Sequence, residues 1–132
     1  MSMTDPIADL LTQIRNAGRA AKRRVELPSS QMRRRIAEIL LESNYIRSVE
    51  YIEDELQGIL RIRLRFTPEG KNVIKGIERI SRPGRRVYLN KKDLLKGSRK
   101  PGMLVLTTSS GVMTDREAMA KGVAGEALFR IW

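Results

Sequence analysis

Thr107, Thr108, Ser109 and Ser110 set four small hydroxyls in succession, with Gly111 next and a T-x-x-E pattern, Thr114 to Glu117, just beyond. A hydroxyl donates and accepts with little bulk, so such a run can meet sugars, base edges and phosphates. A serine can also be a nucleophile with lysine as its base, and Ser109 or Ser110 with Lys121 would be that pair. The T-x-x-E pattern is a capping box and predicts a helix over 115–121 that stops at Gly122. A strand over 103–106, the hydroxyl loop and a capped helix would gather hydroxyls, backbone N–H groups and a helix dipole into a polyanion seat. The same spacing equally describes a strand-to-helix turn rich in small polar residues. It is not a nucleotide P-loop, because no G-x-x-x-x-G-K-[ST] occurs.

Other residues could serve the same chemistry. Arg82, Pro83, Gly84, Arg85 and Arg86 follow Ser81 in a rigid turn loaded with cations, either a backbone clamp or a solvated turn. Tyr88 offers a ring on which an unstacked base could lie, or it packs half-buried on a strand. Glu126 is an acid in a basic region. It orients a cation, accepts from a base amino or sugar hydroxyl, or forms a structural ion pair. Arg33, Arg34 and Arg35 sit near a helix start, where the dipole disfavours cations. A phosphate or a solvated face would relieve that conflict. Arg61, Arg63 and Arg65 alternate along a strand, where a wet face is the preferred reading over phosphate contact.

The chain has no histidine and no cysteine. That removes the usual general base, thiol chemistry, disulfides and the commonest metal ligands. No catalytic role, metal or cofactor is expected. Lysine and arginine number 26 against 15 acids, a net charge of +11, which favours nucleic acid as partner and an anionic membrane surface second. No apolar run approaches the ~20 residues a membrane span needs. The opening MSMTDPIADLL carries an acid where a signal peptide would carry lysines, so a cytoplasmic location is expected.

These residues need elements to hold them. A first helix begins at Asp5-Pro6, buries Ile7, Leu10, Leu11 and Ile14, and stops at Asn16-Ala17-Gly18. A strand over 24–27 follows, then a helix capped by Ser29-Ser30 with Met32, Ile36, Ile39 and Leu40 inward. Residues 45–52 and 59–66 form a hairpin, and 67–72 is punctuation between two modules, 1–67 and 68–132. Strands are expected over 73–80 and 86–89, then a basic, partly helical stretch over 90–102. The last strand turns Ala127, Phe129 and Ile131 inward against Glu126, Leu128 and Arg130. The fold class is α+β. A helix-strand-helix-hairpin module precedes a mostly antiparallel β module with one short helix.

DPIADLLTQIRNA, PSS before a helix, RISRPGRRVY, TTSSGVMTDREA and the closing GVAGEALFRIW follow one another in this order. From residue 3 to the C-terminus the chain resembles the bacterial-type small-subunit ribosomal protein eight family. The resemblance implies two α+β modules and direct binding of the central domain of small-subunit rRNA, mainly through the C-terminal module. It implies support of that domain's assembly, neighbouring small-subunit ribosomal proteins as partners, and no small-molecule substrate. Bacterial members would also repress translation of their own operon's mRNA. Location in the ribosome follows, in the cytoplasm or in an organelle's stroma or matrix.

By motif position, Thr107, Thr108, Ser109 and Ser110, with Gly111, resemble the hydroxyl loop that meets an irregular internal loop of an RNA helix. Tyr88 resembles the family's stacking or packing tyrosine and Glu126 its acid beside the loop. Asp5, Pro6, Arg15, Asn16, Ser29 and Ser30 match positions of further RNA contact. Gly97 to Gly102 departs from the family's G-L-G-type turn and should be reshaped and more basic. Gln31 stands where lysine is frequent, and Thr107 where serine is. In the expected mechanism cations supply affinity and the hydroxyls, Tyr88 and Glu126 recognise shape, since A-form grooves hide base edges. The rivals are a non-ribosomal structured-RNA module, a DNA-binding module and a Ser/Lys hydrolase. No helix-turn-helix, zipper, oxyanion or metal motif accompanies the last two.

Overall fold

A computed structural model describes residues 5–132; residues 1–4, which open the expected first module, lie outside the described residues. Residues 6–75 form one compact unit, and Asp5 with residues 76–132 forms another. No helix of the described residues is long and apolar enough to cross a membrane.

The N-terminal unit contains α1 (Pro6–Arg19), β1 (Arg24–Pro28), α2 (Gln31–Glu42), β2 (Ile46–Ile52) and β3 (Ile59–Leu64), its antiparallel sheet ordered β1-β3-β2. Helix α1 buries Ile7, Leu10, Leu11, Ile14 and Ala17, the single apolar face that the spacing predicts. It does not stop at Gly18. That glycine lies within the helix because the Asn72 side chain occupies the space a Cβ would need. The chain leaves the helix two residues past its end, where Ala21 takes φ 54.

Ser30 caps α2, its Oγ accepting from Arg33 N at 3.1 Å. On β3, Leu60, Ile62 and Leu64 point into the core. Arg61 lies opposite Glu26 on one side and Glu50 on the other, with ion pairs of 3.1 Å and 3.7 Å. Arg63 pairs with Glu50 at 3.1 Å. The arginine row is thus a wet face laced by cross-strand carboxylates. Beyond β3, Thr67 N donates to Lys71 O at 2.7 Å and Val73 N to Arg65 O at 3.0 Å, folding this stretch back on its own unit.

The C-terminal unit runs β4 (Ile77–Arg79), β5 (Tyr88–Leu89), α3 (Lys91–Gly97), β6 (Met103–Thr108), β7 (Gly111–Thr114), α4 (Asp115–Lys121) and β8 (Gly125–Ile131). Its antiparallel sheet is ordered β4-β8-β6-β7, with β5 also on β8. The basic stretch over 90–102 supplies a second short helix, α3, capped by a reciprocal Asn90–Asp93 box. The strand expected over 73–80 shortens to β4. Leu94 of α3 and Ala118 of α4 pack on Leu104, Leu106, Met113 and Ala127. The alternation of β8 is only half realised, because Leu128 and Glu126 are buried along with Ala127, Phe129 and Ile131. Helix α4 begins at the Thr114 cap and ends at Gly122, whose φ of 68 suits a residue without Cβ.

Candidate nucleic-acid interface

The hydroxyl run is not a loop leading into a helix. Thr107 and Thr108 end β6, Ser109 and Ser110 make the turn, and Gly111 opens β7, with Thr108 paired to Gly111 and Thr107 to Val112. At ~3.4 Å per residue, the strand between Gly111 and the Thr114 cap holds the hydroxyls about 10 Å from the start of α4. The helix-terminus anion seat is therefore not formed by these hydroxyls. Two facts explain the hairpin. β-branched threonines suit a strand, and Gly111 supplies the φ of 108 that closes the turn.

The four hydroxyls have different duties. Thr108 Oγ1 accepts from Ser110 N at 3.0 Å and donates to Gly111 O at 3.0 Å, so it braces the turn. Ser109 and Ser110 are exposed and Thr107 is half-buried. None of these three hydroxyls has a hydrogen-bond partner among the described residues. Lys121 likewise makes no bond to Ser109 or Ser110 among the described residues, so nothing couples a nucleophile to a base.

Strand register brings the other candidates to this tip. Thr107 lies opposite Glu126, and Glu126 lies opposite Tyr88, a row across three adjacent strands on the face away from α3 and α4. Residues so paired stand ~4.5–5.5 Å apart at Cβ. Strands β6 and β8 approach closely here because Gly125 has no Cβ to meet the Thr107 carbonyl. Tyr88 is 70% exposed, so its ring is not packing into a core. Glu126 is buried, and its Oε2 accepts from Arg86 Nη1 at 3.1 Å. Its Oε1 has no partner among the described residues and is not sealed from solvent. The ion-pair and acceptor readings of Glu126 are therefore compatible.

Arg82 and Arg85 bond through their backbones at 2.9 Å in both directions, with Pro83 and Gly84 at the tip. Neither side chain has a carboxylate partner among the described residues. Ser81, fully buried, latches the base of this turn. Its Oγ accepts from Val87 N at 2.8 Å and donates to Val87 O at 3.2 Å. The sequence gives no signal for that role beyond a serine at the turn's edge.

The N-terminal candidates are mostly engaged. Ser29 is buried with its Oγ accepting from Arg34 Nε at 2.7 Å, and the Ser30 hydroxyl is the α2 cap. Arg33 is nearly buried and donates to Pro28 O at 2.9 Å, Pro6 O at 3.2 Å and Asp9 Oδ2 at 3.1 Å. The cation-at-helix-start conflict is thus relieved internally, by carbonyls and a carboxylate, with no phosphate required. Arg34 stacks on Tyr51 at 4.8 Å, and Arg35 pairs with Glu38 at 3.6 Å. Burial first, then the Glu38 carboxylate, raises the Tyr51 phenol above its ordinary value. Arg33 joins Pro6 to the Ser30 cap, whereas Arg15 and Asn16 lie about 14–15 Å further along α1. In the C-terminal unit Asp5 is held by Arg79, with oxygens at 3.2 Å from Nε and Nη2.

The family model described as ribosomal protein S8 matches residues 5–132. The small ribosomal subunit protein uS8 of Geobacillus kaustophilus is 48% identical over 132 residues, all of both chains. That of Heliobacterium modesticaldum is 49% identical over the same full lengths. That of Thermodesulfovibrio yellowstonii is 48% identical over 130 residues, 98% of this chain and 99% of the relative. Such identity, carried from end to end, makes this chain a member of the ribosomal protein S8 family, a family of structural ribosomal proteins and not of enzymes.

Proposed function

We propose that this protein is a constituent of the small ribosomal subunit that binds the central domain of its rRNA directly and supports folding of that domain. The row Thr107–Glu126–Tyr88 beside the exposed turn of Ser109 and Ser110 is the observation that carries this reading. Free small hydroxyls, an unshared carboxylate oxygen and an open ring suit an irregular stem whose bases are splayed out. Thr108 and Gly111 shape the turn. Arg82, Arg85 and Arg86, on the turn set by Pro83 and Gly84, hold phosphates and supply sequence-independent affinity.

In the N-terminal unit, Asn16 is exposed, and with Arg15 it forms a secondary RNA contact. Pro6, Ser29 and Ser30 act chiefly by fixing the α2 start, and Asp5 by holding Arg79. Neighbouring small-subunit proteins are the protein partners, in the cytoplasmic ribosome. Binding of a similar stem in the operon's own mRNA would repress its translation. Footprinting on purified small-subunit rRNA tests the reading. Protection confined to one irregular central-domain helix is expected. Protection spread over regular duplexes, or matched by a DNA duplex at equal salt, refutes it.

A further inference from the structure

A cleft of about 610 Å³ opens in the C-terminal unit, lined by Ile80, Leu104 and Trp132 together with charged side chains. Arg130, in its wall, stands five residues along β8 from Gly125, the partner of Thr108. At ~3.4 Å per residue that is about 17 Å from the hydroxyl turn, so the cleft is not part of the site described above.

Arg130 is the anomaly. Its Nη1 is buried without a hydrogen-bond partner, alone in this among the buried side-chain nitrogens and oxygens of the described residues. Its Nη2 reaches Gly97 O at a long 3.4 Å. Register sets Glu78 opposite Arg130, yet no ion pair joins them. Asp93, the other acid in the lining, already accepts from Asn90 N at 3.1 Å. A loosely held guanidinium with a buried orphan N–H gains from turning toward an incoming oxyanion. Lys96 and Lys100 are exposed on the same cleft and would draw an acid toward it.

We propose that this cleft seats a segment of another protein carrying an acidic side chain beside an apolar one. The carboxylate meets Arg130, and the apolar group lies against Ile80, Leu104 and Trp132. Nucleic acid suits it poorly, since a backbone of repeating phosphates gains nothing from an apolar floor, whereas one acidic and one apolar side chain side by side suit such a lining. The ribosomal reading contributes one thing here: it puts other proteins within reach.

Trp132 is the sole tryptophan, so its emission reports on the cleft in the full chain. The probes are N-acetyl-Leu-Glu-amide and N-acetyl-Leu-Gln-amide. The glutamate peptide should shift the emission saturably, with a dissociation constant on the order of millimolar for so small a ligand. The glutamine peptide should bind at least about fivefold more weakly. Arg130→Gln should abolish that preference. Because that change could disturb packing, the exposed pair Lys96→Glu and Lys100→Glu gives a second arm. It should weaken the glutamate peptide alone and leave the melting temperature unchanged.

Equal response to both peptides, no saturable response, or a preference that survives Arg130→Gln overturns the proposal. So does a shift of Trp132 emission by an rRNA stem that Arg130→Gln removes, which would make RNA the occupant. Affinity for that stem, read in the same samples with Ser109→Ala, fails or holds independently of the cleft.

Discussion

Ser109→Ala and Thr108→Val each delete one hydroxyl from neighbouring positions, and they should separate recognition from stability. Thr108 Oγ1 makes two 3.0 Å hydrogen bonds that close the β6–β7 turn. A net hydrogen bond is worth ~0.5–1.5 kcal/mol, and water at an exposed turn replaces part of each. Thr108→Val should therefore cost about 1 kcal/mol, a fall in Tm of roughly 3–6 °C for a chain of this size. Ser109 is exposed, its hydroxyl unpaired among the described residues, so Ser109→Ala should stay within ~0.5 kcal/mol in stability.

The order reverses for binding. Removing one hydroxyl hydrogen bond of about 1–1.5 kcal/mol weakens the specific complex roughly 5–13-fold. Filter binding at one fixed salt, to a central-domain stem with an irregular loop and to a random duplex of equal length, gives the comparison. Circular-dichroism melts give the stabilities. If Ser109→Ala weakens both RNAs alike, or melts as early as Thr108→Val, the hydroxyl turn is not the reader of shape.

Arg85→Gln should weaken both RNAs and flatten the salt dependence by ~0.9 log units per log of salt for each duplex phosphate it no longer neutralises, seen in a salt titration. Tyr88→Phe should leave affinity nearly unchanged. Tyr88→Leu should lose ~1–3 kcal/mol of binding if a base stacks there, with little change in melting because the ring is 70% exposed. Gly111→Ala meets no atom within 4 Å but keeps φ 108, so only torsional strain of ~1–2 kcal/mol should appear in the melt. Arg33→Leu takes the donor from the Pro28 carbonyl, along with a second donor from Pro6 O and the partner of Asp9, and should cost ~2–4 kcal/mol in urea unfolding.

Local periodicity made α1, α2, β3 and α4 legible, since each buries the face its own spacing marks. What escaped was set by partners distant in sequence. Gly18 has the composition of a helix stop, yet Asn72, far along the chain, makes it a packing glycine instead. TTSSG has the composition of a loop. It pairs as a hairpin because β6 is sandwiched between β7 and β8. Its usable signals were the paired threonines and a glycine placed after two turn residues. The row of Thr107, Glu126 and Tyr88 was beyond sequence reasoning altogether. Three residues from three strands share a level only once register is known.

Net charge points to a polyanion but does not say which cations face it. Arg61 and Arg63 belong to Glu26 and Glu50, Arg79 to Asp5, and Arg33 to two carbonyls and Asp9. Arg82 and Arg85 lack such partners among the described residues, on a turn whose base bonds to Ala127 of β8, the residue after Glu126. Arg86 lies between the two cases, half-exposed and bonded to one oxygen of Glu126. That bond does more than neutralise an acid. A carboxylate with both oxygens free would repel the phosphates that the neighbouring arginines attract. With Arg86 on Oε2, the acid keeps Oε1 as an acceptor while its charge is offset. On the proposed reading, an acid can thus stand in the middle of an RNA-facing surface without weakening its attraction for the backbone. If that surface meets RNA, removing Arg86 should turn Glu126 from an acceptor into a repellent and weaken binding to both the irregular stem and a random duplex.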